Sequence, residues 1–322
     1  MTYQNSICAD AGTAHCPCAL AETGDCLICS RLAGRDECGC SWAGVCVYNE
    51  YMQNDKVVRN RRESRSVPIV KKIRYGCDLI VMVLKVSRGF ALRAAEPGSF
   101  VFINSSGENV FFNMPVSVMK ADVENERLYI ALKVLSGKTK KAAEATESIQ
   151  LRGVYRNGLL GGGTSELGED RRNGGRWLII TKGIGFAPAV NLLNWADGRV
   201  SADMISDLEK VSEEMFEDNM RECMEKSGDN INLRKVPLQE IIPSLSEEKA
   251  AGYDRIILLA SDYYIRTLAE KMEVPYHKLV FCNNFRMCCG EGICGACSHV
   301  DSAGKVSKMC KCRGSYDVIS TL

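Results

Sequence analysis

The chain of 322 residues has little histidine: His15, His277 and His299 are scattered along it. They suggest no acid–base pair, so the sequence offers no evident machinery for turnover of an organic substrate. An excess of one charge is also missing. The 41 basic and 40 acidic side chains give a formal net charge of +1, which disfavours a nucleic-acid or membrane-surface partner. No run of about 18 uncharged apolar residues occurs, so no transmembrane helix is expected.

A secretory signal is missing as well. The first residues, MTYQNSICADAGTAHC, do not follow the basic, apolar and small-residue order of a signal peptide. We therefore expect a cytoplasmic protein, in which dense cysteines serve as metal or cluster ligands rather than as disulfides. A hydrophobic fraction of 46% and a charged fraction of 25% are ordinary for globular domains, and the length predicts two or three of them.

Cysteine is the residue in excess. The chain has 17 cysteines, of which eight lie within residues 8–46 and six within residues 288–312. The other three, Cys77, Cys223 and Cys282, are isolated, and we interpret them as small buried side chains without a further role. The two dense groups, near opposite ends of the chain, are the candidate metal-binding segments.

The C-terminal group has a defined spacing. Its candidate ligands are separated by four, two and twelve residues, in the order Cys289, Cys294, Cys297 and Cys310. A C-x4-C-x2-C pattern with a distant fourth cysteine is typical of plant-type [2Fe–2S] ligation. Two irons and two sulfides need four thiolates from different directions, and a tight glycine-containing loop followed by a returning strand can supply them.

Two alternatives remain open for this segment. A structural zinc ion accepts four thiolates, although zinc sites usually combine two C-x2-C pairs, and here Cys294 and Cys297 form one such pair. Cys288 and Cys312 lie next to the assigned ligands, and either could replace one of them. Cys289 and Cys310 are preferred because they complete the spacing of the loop.

The residues between the cysteine groups change character twice. Short apolar runs from about residue 67, separated by Gly, Pro, Asn and Asp, predict an antiparallel sheet or small barrel. Further along, WLIIT, KGIGFA and PAVNLLNWA predict a strand, a turn and a helix, which begin an α/β domain. An acidic amphipathic helix is predicted at residues 203–226, so that no strand is evident after the first helix of this domain.

The predicted fold class is a multidomain α+β protein. Its expected parts are a Cys-rich head at residues 1–62, an antiparallel β-barrel at 63–163, an α/β domain at 174–280 and a cluster domain at 281–322. The order of barrel, Gly-rich βα unit and cluster motif resembles the electron-transfer subunit of class B dihydroorotate dehydrogenases. It is also similar to the small subunits of flavin-based NAD(P)H–ferredoxin oxidoreductases, and both belong to the ferredoxin–NADP reductase superfamily.

The resemblance covers roughly residues 65–315 and implies that the barrel binds FAD. EPGSFVFIN and NMPVSV resemble the family's flavin strands, and SGKT with RGVYRNGLLG resembles its second flavin segment. The implied FAD-binding residues are Pro115, Val116, Ser117, Gly137, Lys138 and Thr139. Met114 stands where the family often has an arginine for the FAD phosphate, so one charge-assisted contact is missing. A barrel whose flavin site has decayed is the alternative.

The resemblance also implies that the α/β domain binds NAD(P)H through the turn TKGIGFAP. Glycines at a strand end let the backbone approach a phosphate, and the following helix N-terminus attracts the anion. The implied residues are Gly183, Gly185, Ala187 and Pro188. The family's second nucleotide motif, a C-G-P turn, is replaced by ASD at residues 260–262, which leaves nucleotide binding open.

The N-terminal head has no counterpart in the resembling subunits. Its thiols follow C-P-C, C-L-I-C and C-G-C patterns, and the candidate metal ligands are Cys16, Cys18, Cys26, Cys29, Cys38 and Cys40. Zinc and [4Fe–4S] clusters both accept four cysteines. So short a segment with few aliphatic residues is expected to need a metal in order to fold. An additional Fe–S cluster is favoured over zinc and over free regulatory thiols.

Together these features predict an electron-transfer subunit of an oxidoreductase. Electrons would pass between NAD(P)H, FAD and the [2Fe–2S] cluster, and then to a catalytic flavin or iron–sulfur subunit in a hetero-oligomer, without a nucleic-acid or membrane partner. FAD is needed in such a chain because a hydride delivers two electrons, whereas a cluster carries one. The alternative is a non-enzymatic redox relay or scaffold subunit whose nucleotide site has degenerated.

Overall fold

The computed structural model describes residues 8–40, 42–105, 113–302, 304 and 306–312. The start of the predicted NVFFNM strand and the outermost ends of the predicted head and cluster domain lie outside these residues. None of the described helices is long and apolar enough to cross a membrane.

Six antiparallel strands close into a barrel in the spatial order β1, β2, β5, β4, β3, β6. Their bounds are β1 Arg65–Tyr75, β2 Leu79–Lys85, β3 Phe100–Asn104, β4 Met114–Asp122, β5 Arg127–Lys133 and β6 Ser148–Tyr155. The apolar runs that predicted the barrel form its core, in which Ile80, Leu84, Val118, Ile130 and Ile149 are fully buried. Closure pairs every strand on both sides, so the barrel has no free sheet edge. The predicted barrel is confirmed.

Two helices connect barrel strands: α3 at Arg88–Ala94 and α4 at Gly137–Glu144. The start of α4 is fixed by a reciprocal pair of hydrogen bonds, in which Ser136 and Thr139 cap each other's backbone N–H groups. This cap holds the SGKT segment at the barrel surface, where α4 packs against β3 and β5.

The second domain is an α/β sheet in the order β10, β9, β8, β11, β12, β7. The first five strands are parallel, and β7 pairs with β12 in the antiparallel sense. Strand bounds are β7 Leu159–Leu160, β8 Arg176–Lys182, β9 Ser201–Asp207, β10 Ile231–Lys235, β11 Arg255–Leu259 and β12 Leu279–Cys282. The helices are α5 Leu167–Asn173, α6 Phe186–Ala196, α7 Glu213–Ser227, α8 Leu238–Ile241, α9 Glu247–Ala251 and α10 Asp262–Lys271. All five residues of WLIIT are buried, as expected for a parallel strand that is covered on both faces.

The predicted helix over residues 203–226 is wrong in its first part. Strand β9 occupies residues 201–207 directly after α6, and the helix α7 begins only at Glu213. The strand escaped prediction because polar residues interrupt its apolar pattern. Three of them have side-chain partners elsewhere in the fold: Asp203 accepts hydrogen bonds from Asn232 and Tyr253, Ser206 bonds to Thr181, and Asp207 accepts from Lys182. Those partners are visible only once the strands are paired.

The two cysteine-rich ends of the chain meet in space. The head contains α1 (Ala19–Thr23) and α2 (Val47–Gln53), and the other end forms a short hairpin of β13 (Ser298–Val300) and β14 (Val306–Lys308). Cys8 forms an antiparallel bridge with Cys312, and the Ala9 N–H donates to the Lys311 carbonyl at 2.8 Å. No sequence pattern predicted this contact.

Replacing Leu258 by alanine tests the central position of β11. Leu258 pairs with residues of β8 and β12, and its side chain is fully buried. Leu258→Ala is therefore expected to lower the free energy of unfolding of the α/β domain by about 2–5 kcal/mol. Urea denaturation followed by circular dichroism measures the change. Leu92→Ala on α3, where the side chain is 53% exposed, is the control and should change stability by less than about 0.5 kcal/mol. Equal effects would contradict the packing described here.

Candidate functional site

A cleft of about 530 Å³ opens between the barrel and the carboxyl edge of the parallel sheet. Open α/β sheets bind their ligands outside the carboxyl ends of the strands. Strands β4 and β5 and helix α4 supply one wall, and the turns after β8, β11 and β12 supply the other. The predicted site residues that line the cleft are Pro115, Val116, Ser117, Thr139, Gly185, Ala187 and Pro188. Segments predicted separately for flavin and nucleotide binding therefore face one cavity.

The remaining predicted residues have other surroundings. Lys138 lies with Lys141 in a small recess next to the cleft, and Met114 lines both spaces. Two ammonium groups of α4 thus lie near the position at which the resemblance placed an arginine. Gly137 and Gly183 are not among the described residues that line the cleft.

Thr139 is satisfied by its own turn. Its hydroxyl accepts the N–H groups of Leu135 and Ser136, each at 2.9 Å, and donates to the Ser136 carbonyl at 3.0 Å. The side chain lines the cleft, but its hydrogen-bonding capacity serves the cap of α4. Its first role is therefore to fix the start of the helix.

The turn between β8 and α6 is compressed against the neighbouring strand. A Cβ atom at Gly185 would lie 2.0 Å from the Leu259 carbonyl oxygen, so no other residue fits there without a backbone shift. This close approach requires the glycine for packing, independently of any phosphate. It also brings the turn and the N-terminus of α6 to the edge of the cleft.

A buried ion pair lies at the same edge of the sheet. Lys182 Nζ, which lines the cleft, contacts Asp207 Oδ2 at 2.6 Å. Asp207 also accepts the N–H groups of Leu238 at 3.0 Å and Glu209 at 3.1 Å. Burial opposes ionisation, but these hydrogen bonds and the lysine hold the pKa of Asp207 below its ordinary value. The Lys182 charge is therefore largely compensated inside the protein.

Cys282 is a cleft residue that sequence reasoning missed. Its thiol donates to the Ala260 carbonyl at 3.2 Å and to Asn284 Oδ1 at 3.3 Å, while Asn284 Nδ2 donates to Asp262 Oδ1 at 2.8 Å. Burial raises the pKa of Cys282 to about 12, so it is a neutral thiol near pH 7. The group was not predictable because its members come from two strand ends, after β11 and after β12.

The four predicted C-terminal ligands lie together. Cys289 Sγ accepts the N–H groups of Glu291 at 3.3 Å and Cys294 at 3.4 Å, and Cys297 Sγ accepts the Cys310 N–H at 3.3 Å. Hydrogen bonding with the neighbouring Cys310 side chain lowers the pKa of Cys289 and of Cys297, and the same two neighbours raise the pKa of Cys310. The fold thus places the distant Cys310 beside Cys289 and Cys297, and the role of these cysteines as ligands stays a prediction.

The cysteine loop, residues 288–297, rests on the barrel. A Cβ atom at Gly290 would lie 2.6 Å from Phe102 and 2.9 Å from Tyr155, and this glycine has φ +68°. Arg152 donates from its guanidinium to the Cys289 carbonyl at 2.8 Å. The loop therefore needs glycine in order to approach the aromatic side chains of β3 and β6.

The two cysteines that were not assigned as ligands differ in their surroundings. Cys312 is buried, and its backbone forms an isolated β-bridge with that of Cys8, without a disulfide between the two residues. Cys288 is partly exposed and lies near Cys294. Across the described ranges, no group of three or more His, Cys, Asp or Glu side chains is arranged to hold a metal ion. The donor set instead consists of thiols in pairwise contact, with Cys310 beside Cys289 and Cys297 and with Cys294 beside Cys289, and of three backbone N–H groups directed at Cys289 and Cys297. Thiolates with N–H donors are the donor chemistry of an Fe–S cluster.

The predicted head ligands fall into two groups. Cys16, Cys26 and Cys29 pack against the small core of the head, with Cys18 close to Cys16 and Cys26. Burial, and then the neighbouring thiols, raise the pKa of Cys16 to about 12. Cys38 and Cys40 are exposed. The structure therefore places four of the six predicted residues near one another and leaves two at the surface.

A network of four charged side chains joins the head to the cysteine loop, and three of these side chains are buried whereas Glu291 is 21% exposed. We refer to Asp10, Arg62, Glu291 and Lys311 as the charge network. Arg62 holds Asp10 with both terminal nitrogens, at 3.0 and 2.5 Å. Lys311 Nζ lies 2.6 Å from Asp10 Oδ2 and 2.7 Å from Glu291 Oε2. Despite their burial, the opposite charges lower the pKa of Asp10 and raise the pKa of Lys311. Both side chains are therefore charged at neutral pH.

Comparison with known proteins places the fold. No protein-family model and no curated protein matches the sequence. Among solved structures, an NADH-dependent reduced ferredoxin–NADP oxidoreductase studied for flavin-based electron bifurcation matches with a TM-score of 0.54 at 17% identity, over 76% of this chain and 85% of that one. Phthalate dioxygenase reductase matches with a TM-score of 0.51 at 11% identity, over 78% and 88% of the two chains. Ferredoxin–NADP+ reductase from Plasmodium falciparum matches with a TM-score of 0.50 at 12% identity, over 69% and 96%.

These matches define a class of fold. A closed six-stranded antiparallel barrel followed by a parallel α/β sheet is shared with reductase-type electron-transfer proteins. The chain thus has the ferredoxin–NADP reductase-like fold, and the fold that the sequence resemblance implied is confirmed. At these identities the similarity establishes architecture, and what this chain binds has to be argued from its own residues.

Gly290→Ala tests the contact between the cysteine loop and the barrel. The added Cβ meets Phe102 and Tyr155 below 3 Å, so the variant is expected to lower the melting temperature clearly. Gly76→Ala is a matched control, because Gly76 has the same φ of +68° but no atom within 4 Å of the added Cβ. It isolates the backbone cost of about 1–2 kcal/mol. If the two variants melted alike, the loop would not lie against the aromatic side chains.

Proposed function

We propose that this chain is an electron-transfer subunit that passes electrons between NAD(P)H, FAD and a C-terminal [2Fe–2S] cluster. One observation carries the proposal. The same barrel lines the cleft with β4 and β5 and supports the cysteine loop with β3 and β6. A flavin in the cleft and a cluster on the loop would then share one rigid support, which suits electron transfer between them.

A structure with a similar fold supports this reading. Phthalate dioxygenase reductase is described as a modular structure for electron transfer from pyridine nucleotides to [2Fe–2S]. The present chain combines a related barrel and α/β sheet with a cysteine loop of the plant-type spacing. The agreement between fold and motif is stronger support than either one alone, because the pairing of the barrel and sheet strands does not depend on the cysteine spacing.

For FAD, we assign the isoalloxazine and phosphate contacts to the cleft and its recess. Pro115, Val116 and Ser117 form the β4 wall. Lys138 and Lys141 take the place of the missing arginine at position 114 as cationic partners of the pyrophosphate. FAD supplies the step from two-electron to one-electron transfer. The protein residues hold and orient it.

For NAD(P)H, we assign the cleft edge formed by Gly185, Ala187 and Pro188, with the α6 N-terminus directed to a phosphate. Gly183 shapes the turn with its φ of +56°. Asp262 and Ser261 line the opposite wall, where the family has its C-G-P turn. The neutral Cys282 thiol and Asn284 occupy the same wall and supply the polar lining that this turn would otherwise give.

For the metal centres, Cys289, Cys294, Cys297 and Cys310 are the proposed cluster ligands. In the head, Cys16, Cys18, Cys26 and Cys29 are the proposed ligands of an additional Fe–S cluster, with zinc as the alternative. Cys38 and Cys40 are exposed and are better explained as free thiols. Reduced thiols in such number suit the cytoplasm. We place the protein there, in a hetero-oligomer with a catalytic flavin or iron–sulfur subunit.

Metal and flavin content test the proposal directly. Anaerobically purified protein is expected to contain FAD, acid-labile sulfide and about two irons per chain from the C-terminal cluster, or roughly six if the head holds a [4Fe–4S] cluster. Cys310→Ser should remove about two irons, whereas Cys77→Ser, at an exposed position between β1 and β2, should remove none. Zinc in place of iron would end the electron-transfer proposal.

FAD affinity tests the cationic recess. A charge-assisted hydrogen bond contributes about 1.5–3 kcal/mol, so the double variant Lys138→Ala/Lys141→Ala is expected to weaken FAD binding by tenfold or more. Fluorescence titration of flavin-stripped protein measures the dissociation constant. Lys140→Ala is the control, because Lys140 lies on the same helix but does not line the recess. Equal affinities for all three proteins would place the pyrophosphate elsewhere.

A second candidate function is a redox relay without nucleotide chemistry. Asp262 favours it, because a carboxylate on the cleft wall repels the phosphates of NAD(P)H. Anaerobic NADH titration separates the two functions. Loss of flavin absorbance followed by cluster absorbance supports the reductase, whereas bleaching by dithionite but not by NADH or NADPH supports the relay.

A further inference from the structure

Lys311 is unusual among the charged side chains of the described residues because none of its surface is exposed. It directly follows Cys310, a proposed cluster ligand, and its ammonium lies 2.6 Å from Asp10 Oδ2 and 2.7 Å from Glu291 Oε2. A buried cation of this kind is costly to desolvate and is kept only where its partners compensate it. Lys311 does not line the cleft, and its ammonium also interacts electrostatically with the head thiols Cys8 and Cys18.

The charge network touches the proposed cluster site at two points. Glu291 lies within the cysteine loop, and its own N–H donates to Cys289 Sγ at 3.3 Å. Its carboxylate accepts from the Tyr155 hydroxyl at 2.8 Å as well as from Lys311. Lys311 is joined covalently to Cys310. A change of charge in the network therefore acts on the cluster site through buried groups, which ionic strength screens little.

The third member, Asp10, belongs to the head. It is held by Arg62, whose guanidinium is 2% exposed and stacks 4.3 Å above the Tyr155 ring. The head also touches the loop directly, because a Cβ atom at Gly292 would lie 2.8 Å from Leu20. The head thus supplies one of the two carboxylates that compensate the Lys311 charge.

Reduction of a [2Fe–2S] cluster adds one negative charge. A nearby buried cation stabilises the reduced state and a nearby carboxylate stabilises the oxidised state, because charges interact strongly where water is excluded. We propose that the Lys311 ammonium raises the reduction potential of the C-terminal cluster, and that the head, through Asp10, partly cancels this effect. The inference rests on the proposed function, since it requires the cluster on Cys289, Cys294, Cys297 and Cys310. It gives the head a role in setting the potential, whatever metal the head itself holds.

The experiment is an anaerobic potentiometric titration of the full chain, with dithionite as reductant and the EPR signal of the reduced cluster as readout. Lys311→Met removes the positive charge and is expected to reduce the ratio of reduced to oxidised cluster at a fixed potential about tenfold, or 59 mV for a one-electron couple. Lys311→Arg keeps the charge and should restore the potential. Lys308→Met, which removes an exposed ammonium that donates to Ser298 Oγ, is the control and should leave it unchanged.

The two variants that neutralise a carboxylate test the direction of the shift in midpoint potential. Glu291→Gln and Asp10→Asn leave Lys311 less compensated, so both are expected to shift the midpoint in the positive direction, opposite to Lys311→Met. A merely structural role would move all three variants in one direction, and that result would overturn the inference, as would an unchanged midpoint. If Lys311→Met does not fold, unchanged midpoints in the two acid variants still refute it.

Failure of the proposed function has a different signature. Wild-type protein without two irons and without a cluster signal overturns the function before any variant is compared. If the wild-type protein contains a normal cluster and the charge-network variants have the same reduction potential as the wild type, only the role of Lys311 and the head is overturned.

Discussion

The contact between the buried Lys311 ammonium and the carboxylates of Asp10 and Glu291 joins parts of the chain that lie about 300 residues apart. Arg62, at the end of the head, completes the network, and Tyr155 of the barrel contacts both Arg62 and Glu291. Buried charges are stable only when every partner is present, and removal of one partner from such a pair typically costs about 3–5 kcal/mol. The position of the head, the course of the cysteine loop and the return of Cys310 therefore depend on one another. The network acts less as a source of net stability than as a constraint on which surfaces meet.

The barrel is the second constraint, because both candidate sites are built on it. Phe102 and Tyr155 pack edge to face with ring centroids 5.1 Å apart, and only glycine can approach both rings closely, as Gly290 of the loop does. On another side, Met114 and the start of α4 line the cleft and its recess. Aromatic packing and a capped helix thus position the cysteine loop and the SGKT segment. The chemistry of thiols and ammonium groups is then positioned by rigid elements rather than by the loops alone.

Several residues at the cleft are explained by packing or helix capping, without any bound ligand. Gly185 is required by the Leu259 carbonyl, and the Thr139 hydroxyl is used by the cap of α4. These residues still line the cleft, but their presence in a motif does not by itself prove ligand contact. Conversely, Lys141 and Cys282 lie at the cleft or its recess without belonging to any motif. A candidate site is therefore better judged by the contacts that its residues make than by a match to a sequence motif.

The sequence by itself determined the local features. Apolar runs specified the barrel strands and β8, and the C-x4-C-x2-C spacing specified which thiols meet, because loop geometry depends on neighbours in the chain. Strand β9 was not predicted because its polar residues are stabilised by partners distant in sequence, such as Thr181, Asn232 and Tyr253.

Only the tertiary structure decided that Lys138 and Lys141 lie beside Met114, that Cys282 lines the cleft and that the head packs on the cysteine loop. The physical reason is that buried charge and hydrogen bonding are satisfied by groups distant in sequence. No local sequence pattern indicates that Lys311, which lies between two cysteines, forms an ion pair with Asp10.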